Sequence, residues 1–135
     1  MKRNVLIPAL VVLTFALAFT GTGCKRTVPI ENFGNSSLVA YGSLKATDVR
    51  DAVIRGGSNI GWQMSEERPG LVVAVWKARD HSLTVEIPYS STAYTIKYRS
   101  SVNMSAENGE IHRNYNRWIE RLERNINAEL SKVKK

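Results

Sequence analysis

The chain is poor in the residue types that bind metal ions or cross-link a fold. It has 135 residues but only one cysteine and two histidines, so no internal disulfide can form. No set of His, Cys, Asp or Glu occurs at the spacing that zinc sites use. Glycine-rich phosphate loops and the G-x-S-x-G pattern of hydrolases are also missing. We therefore expect that the protein binds no cofactor and is not an enzyme.

The start of the chain has the three parts of a secretory signal. Lys2 and Arg3 supply positive charge, residues 5–19 form an apolar run with one proline, and small residues stand directly before Cys24. The run is shorter than the ~20 residues of a resident transmembrane helix. We expect cleavage after residue 23. The alternative is an ordinary secretory signal that leaves behind an unmodified thiol.

The small residues before Cys24 resemble the lipobox of bacterial lipoproteins, in which the cysteine thiol and the new amino terminus are lipidated. That resemblance implies lipid at Cys24, and several acyl chains anchor a protein stably where one does not. The lipobox favours leucine three residues before the cysteine, where this chain has Gly21. Lys25 stands where lipoproteins retained in the inner membrane carry Asp, so the outer membrane is the expected destination, with the domain facing the periplasm.

The chain has an excess of basic residues, but we do not expect nucleic acid to be its partner. The whole chain has 19 Lys and Arg against 12 Asp and Glu, a net charge of +7, and removal of Lys2 and Arg3 leaves +5. An exported protein meets anionic headgroups, cell-wall polymer and acidic protein surfaces instead of nucleic acid. We expect membrane attachment through the lipid and either an envelope protein or an anionic polymer as partner.

The remaining chain predicts one small α+β domain. We assign residues 1–23 to the signal, 24–45 to the lipidated cysteine and a tether, and 46–135 to the domain. Helical spacing indicates a short helix that ends at Gly56 and Gly57, and alternation of apolar residues indicates strands. The four predicted strands lie near residues 60–67, 71–76, 82–88 and 94–99.

A long C-terminal helix is predicted over residues 109–133, because apolar residues recur there at steps of three and four. We expect a four-stranded antiparallel meander with the short and the long helix packed on one face. In this arrangement Glu86 faces Lys97 across a strand pair. The alternation also leaves Trp76 on one face of the second strand and Val73 and Val75 on the other. Only one face can pack on the helices, so the other is either covered by residues near 36–42 or left as an exposed apolar patch.

Two groups of residues on the long helix are candidates for interaction. Arg113, Arg117, Arg121 and Arg124 fall on the side opposite the apolar stripe, where they bind anionic headgroups or simply form a solvated face. His112 and Asn116 share one helix edge at a spacing of four residues. They mark either a site or a polar flank that bonds a neighbouring loop.

A small envelope hydrolase that uses His81 or His112 is the less favoured alternative. Asp80, His81 and Ser82 contain the three residue types of a catalytic triad, but neighbours along a strand point to opposite faces and cannot converge. Such an enzyme requires one imidazole in a concave pocket, with a hydroxyl or carboxylate within hydrogen-bond reach. We expect a non-catalytic binding or structural module.

Residues 61–119 contain GW, PG, VEIPYS, YTIKYRSS and IHRNYNRWI in that order. In this they resemble a group of small uncharacterised proteobacterial lipoproteins, in which a short helix precedes a meander and a helix with an I-H-x-x-Y-N-x-W-I core. The resemblance spans residues 45–132 together with the lipobox. It implies the same α+β fold and an envelope location, and it carries no activity. His112, Tyr115, Asn116 and Trp118 match the motif.

Overall fold

The computed structural model describes residues 26–133, so the predicted signal and Cys24 lie outside the described part. Local sequence sets most of the elements, because alternating apolar residues favour strands and steps of three and four favour helices. The elements in chain order are β1 (Thr27–Pro29), β2 (Phe33–Asn35), a 3-10 turn (Val39–Tyr41), α1 (Ala46–Ser58), β3 (Gln63–Arg68), β4 (Leu71–Ala78), β5 (His81–Pro88), β6 (Tyr94–Val102), β7 (Glu110–His112) and α2 (Asn114–Val133).

The main sheet is antiparallel and has the strand order β2-β6-β5-β4-β3, while β1 and β7 form a separate antiparallel pair. The predicted α+β class is confirmed. The predicted four-stranded meander corresponds to β3–β6 but is incomplete, because β2 adds a fifth strand beside β6. Glu86 lies opposite Lys97 as expected.

The predicted tether over residues 24–45 is corrected by the structure. Thr27 begins a strand, Phe33 pairs with Ile96 in the main sheet, and Leu38 is buried in the core. These short strands are stabilised by backbone hydrogen bonds to residues far along the chain, which leave no local pattern in the sequence. The folded domain therefore begins about twenty residues before the predicted boundary at residue 46.

Helix α1 continues through the two glycines that were expected to end it. Its start is fixed by Asp48, whose carboxylate accepts the Lys45 N–H at 2.8 Å. At its other end, a side chain at Gly56 would lie 2.8 Å from the backbone of Ile126 on α2. Glycine is therefore required at this position by the close approach of the two helices.

The core lies between the helices and one face of the main sheet. Alternate strand residues point into it, as the period of two requires, and the opposite residues of β4, Val73 and Val75, stay half-exposed. The buried apolar side chains from α1, the sheet and α2 include Val49, Ala52, Val53, Val72, Ala74, Leu83, Val85, Ile87, Tyr94, Ile96, Tyr115, Ile119, Leu122, Ile126 and Leu130.

The long helix begins later than predicted. Ile111 and His112 belong to strand β7, and α2 starts at Asn114. Ile111 and Tyr115 are four residues apart and both fully buried, which is the spacing of residues on one side of a helix. The predicted boundary was wrong because Ile111 lies in a strand and only Tyr115 lies in the helix. Within residues 26–133 no helix combines the length and apolarity needed to cross a membrane.

Buried polar groups tie α2 to the rest of the fold. Glu129 is 5 % exposed, and its carboxylate accepts bonds from Arg55 and Asn59 of the α1 end and from Lys132. The Lys132 and Arg55 partners hold the pKa of this carboxyl below its usual range. Near the other end, burial raises the pKa of Tyr115 to about 12, so its hydroxyl stays a neutral donor.

Candidate functional site

The first described residues lie against the beginning of α2. The Arg113 N–H donates to the carbonyl of Arg26 at 3.0 Å, and Thr27 pairs with His112 in the β1–β7 ladder. Cys24 precedes Arg26 by only two positions. Two residues of extended chain span at most about 7 Å.

The predicted arginines form an exposed basic surface that runs from this end to the middle of α2, and we call it the arginine stripe (Arg113, Arg117, Arg121 and Arg124). All four are exposed; three lie on α2 opposite its buried side, and Arg113 directly precedes the helix. Arg124 lies 3.9 Å from Glu120, an exposed pair of little energetic value. The other three form no ion pair within residues 26–133.

The structure does not bring His112 and Asn116 together on one helix edge, because His112 lies in β7 and Asn116 lies in α2. The Asn116 Oδ1 atom is buried and has no hydrogen-bond partner among the described residues. It is not part of the cavity that His112 lines. The prediction that these two residues share one helix edge is therefore wrong.

Instead, His112 and His81 line the same cavity of about 190 Å³. We call this cavity the imidazole pocket; it is lined by Ala78, Arg79, His81, Met104, His112, Asn114 and Trp118. Its residues come from the β4–β5 turn, the loop before β7, and the junction of β7 with α2. Sequence analysis weighed both histidines but missed Arg79, Met104 and Asn114, since only the folded chain joins these three segments.

His112 is held by the backbone on both sides. Its own N–H donates to the carbonyl of Met104 at 2.7 Å, and its ring Nδ1 accepts the N–H of Asn114 at 3.2 Å. A nitrogen that accepts a hydrogen bond carries no proton, so the proton of the neutral ring is on Nε2. His112 therefore has Nε2–H as its available donor.

His81 is fixed in the complementary way. Its ring Nδ1 lies 2.7 Å from the carbonyl oxygen of Asn103, which can only accept, so Nδ1 carries a proton. The side-chain amide of Asn103 in turn donates to the carbonyl of Asp80 at 2.8 Å. The Nε2 atom accepts a hydrogen bond when the ring is neutral and donates one when it is protonated. The Asp80 carboxylate is 3.6 Å from it.

Arg79 occupies a strained position in the two-residue turn between β4 and β5. Its φ is +54°, a left-handed conformation that costs a residue with a side chain roughly 1 kcal/mol or more. Glycine is the residue that such a turn favours. The side chain of Arg79 is exposed and forms no ion pair or hydrogen bond within the described part of the chain. Strain that persists at an unpaired cation beside a pocket is typical of functional positions.

Trp76 lies on the face of the sheet that the helices cover. Its ring stacks on Trp118 of α2, with centroids 4.2 Å apart and planes tilted by 37°. Trp62 completes the cluster, and a small cavity of about 60 Å³ lies between the three rings, Ile60 and Arg121. The other sheet face carries Val73 and Val75, which are half-exposed. Leu38, from the segment expected to cover that face, is buried in the core cluster.

No candidate metal site is found within residues 26–133. Three or more His, Cys, Asp or Glu side chains do not cluster anywhere in this range as a bound metal ion would require. Comparisons with protein-family models, with curated proteins and with solved structures give no match for this chain. The arginine stripe and the imidazole pocket are therefore the two candidate sites of this domain.

Proposed function

We propose that this protein is a lipid-anchored component of the bacterial envelope whose domain is a non-catalytic binding module. The sequence before Cys24 supports the anchor, and Lys25 favours the outer membrane, with the domain in the periplasm. The single observation that carries the proposal is the Arg113–Arg26 backbone bond of 3.0 Å. With so short a link, an anchor at Cys24 would hold the start of α2, with His112 and Arg113, near the membrane surface.

The anchor is tested on the protein made in its own cells. Mass spectrometry of the purified product should show a chain that begins at Cys24 and carries acyl groups, and the protein should fractionate with outer membranes. The Cys24→Ala variant should lack the acyl mass and lose this membrane association. An intact leader or an unmodified Cys24 in the wild-type protein would contradict the proposal.

A second function, contact with anionic headgroups, is favoured by the exposure of the arginine stripe. Arg113, Arg117 and Arg121 have no carboxylate partner within residues 26–133, so they are available to phosphate oxygens. Each basic residue at an anionic surface adds about 1 kcal/mol of attraction. The attraction is electrostatic and should weaken as salt shortens the screening length.

Vesicle binding tests this second function with residues 24–135 carrying Cys24→Ser, so that no lipid is attached. Binding to vesicles of phosphatidylglycerol and phosphatidylcholine should fall with added salt and should be lost in a triple variant of the stripe. The matched control removes the same charge from the sheet. The stripe variant is R113Q/R117Q/R121Q, and the control is R68Q/K77Q/K97Q. Equal loss in both would show that net charge alone, and no particular surface, is responsible.

We do not propose a hydrolase. None of the side chains that line the imidazole pocket is a serine, threonine or cysteine, so a nucleophile of the usual type has no place beside the two rings. The Asp80 carboxylate lies on the solvent side, with 75 % of its side chain exposed. Binding without covalent chemistry therefore agrees better with this geometry.

A further inference from the structure

We infer that the imidazole pocket binds a phosphate group. Two histidines and an arginine line one cavity of about 190 Å³. Arg79 and His81 come from one chain segment, and His112 lies 31 residues after His81. Its remaining lining is apolar or amide in character. A small concave site with a few convergent polar groups on an apolar wall is the usual form of a ligand site. The inference does not depend on lipid at Cys24.

The donors around the pocket suit an oxyanion. His112 has its Nε2–H available because Nδ1 already accepts the Asn114 N–H. His81 has its Nε2 available because Nδ1 is bonded to the Asn103 carbonyl, and Nε2 donates to an anion when the ring carries both protons. Arg79 adds a permanent positive charge with no carboxylate partner in the described chain.

The donors come from two parts of the fold, since Arg79 and His81 belong to the β4–β5 hairpin and His112 ends β7. A tetrahedral phosphate can accept bonds from several directions at once, whereas a planar carboxylate is matched best by one bidentate arginine. Trp118 and Met104 give the pocket an apolar wall, where the group bonded to the phosphate can pack.

The carboxylate of Asp80 beside the pocket repels an anion, and this provides a test of the inference. The carboxylate of Asp80 lies 3.6 Å from His81 Nε2, so it competes with phosphate for the same ring. Removing its charge by Asp80→Asn should tighten phosphate binding, while removing the cation by Arg79→Gln should weaken it. A merely structural role of these two exposed turn residues would not produce opposite changes in affinity.

The phosphate has two sources, a free phosphate compound or a phospholipid headgroup, and the experiment separates them. The probes are inorganic phosphate and a short-chain phosphatidylglycerol below its micelle concentration, with signals of the histidine rings followed by NMR. Residues 24–135 with Cys24→Ser serve as the starting protein. We expect both imidazoles to shift in a saturable way with at least one probe. A response to the lipid alone identifies the headgroup as the source.

The expected changes are about tenfold weaker binding for R79Q, the scale of one charge-assisted hydrogen bond, and several-fold tighter binding for D80N. The control R68Q removes an equal charge from strand β3 and should leave the affinity unchanged. Absence of a saturable shift with both probes in the wild-type protein would overturn the inference, and so would equal losses in R79Q and R68Q. The wild-type result does not depend on whether any variant folds.

Discussion

The close contact between the two helices makes a definite prediction about Gly56. A Cβ atom at this position would lie 2.8 Å from both the Cα and the N of Ile126, where ordinary contact begins near 3.4 Å. These are backbone atoms in the middle of α2, so no side-chain rotation can relieve the clash. Gly56→Ala must therefore move the helices apart by about 0.6 Å and loosen the core between them.

The expected loss of stability in Gly56→Ala is the difference of two effects. Overpacking of a well-filled interior costs about 1–3 kcal/mol, and here the larger value applies because backbone has to move. Alanine recovers about 0.8–1 kcal/mol through its better helix propensity. The net loss in the free energy of unfolding is about 2 kcal/mol, which lowers the melting temperature by roughly 10 °C in a domain of this size.

Urea and thermal unfolding, followed by circular dichroism, measure this loss. Two variants of the same helix end are matched controls. Gly57→Ala meets only the flexible side chain of Met64, so it should lose less stability than Gly56→Ala, and the exposed Ser58→Ala should change stability by less than about 0.5 kcal/mol. If Gly56→Ala proves as stable as the wild-type protein, the packing argument is refuted.

Three further predictions concern strain and charge. Arg79→Gly should raise the unfolding free energy by about 0.5–1 kcal/mol, because glycine adopts the φ of +54° without strain and this outweighs its greater entropy in the unfolded chain. As a control, Ser91→Gly should lower the unfolding free energy, because Ser91 does not have a positive φ. Gly34→Ala should lower the urea midpoint strongly, since a Cβ there would lie 2.4 Å from the Tyr94 carbonyl at a φ of +133°. The pKa of Glu129 is lowered in the fold, so its stabilising effect is complete above the usual value near 4.5 and is lost as the pH falls through the folded-state pKa. Glu129→Gln should cost about 2 kcal/mol near neutral pH and much less in strong acid, and a pH-independent loss in urea titrations would contradict this.

Local sequence was sufficient to predict the central elements. Leu83, Val85 and Ile87 alternate with polar residues, and all three are buried in β5. The spacing of the apolar residues in α2 predicted which side of the helix packs inward, and therefore that Arg117 and Arg121 are exposed. In both cases the period of the backbone alone decides which side chains share a face.

The parts that sequence analysis missed depend on contacts between distant segments. Strands β1, β2 and β7 have three residues each, too few for a periodic signal, and pairing with a partner decides their conformation. Gly56 was assigned to a helix end because glycine usually disfavours helices, but the neighbouring helix requires it inside one. The imidazole pocket was missed for the same reason, since its residues meet only when two turns and the β7–α2 junction are in place.

The pairing of β1 with β7 also determines when the fold can be completed. Thr27 donates its side-chain hydroxyl to Glu110 across a separation of 83 residues, and β2 likewise waits for β6. Contacts so distant in sequence are slow to form, because a long loop must be closed before they contribute. The earliest-made residues of the domain therefore depend on partners that are made much later, and a truncated chain that lacks β7 leaves β1 without its partner strand.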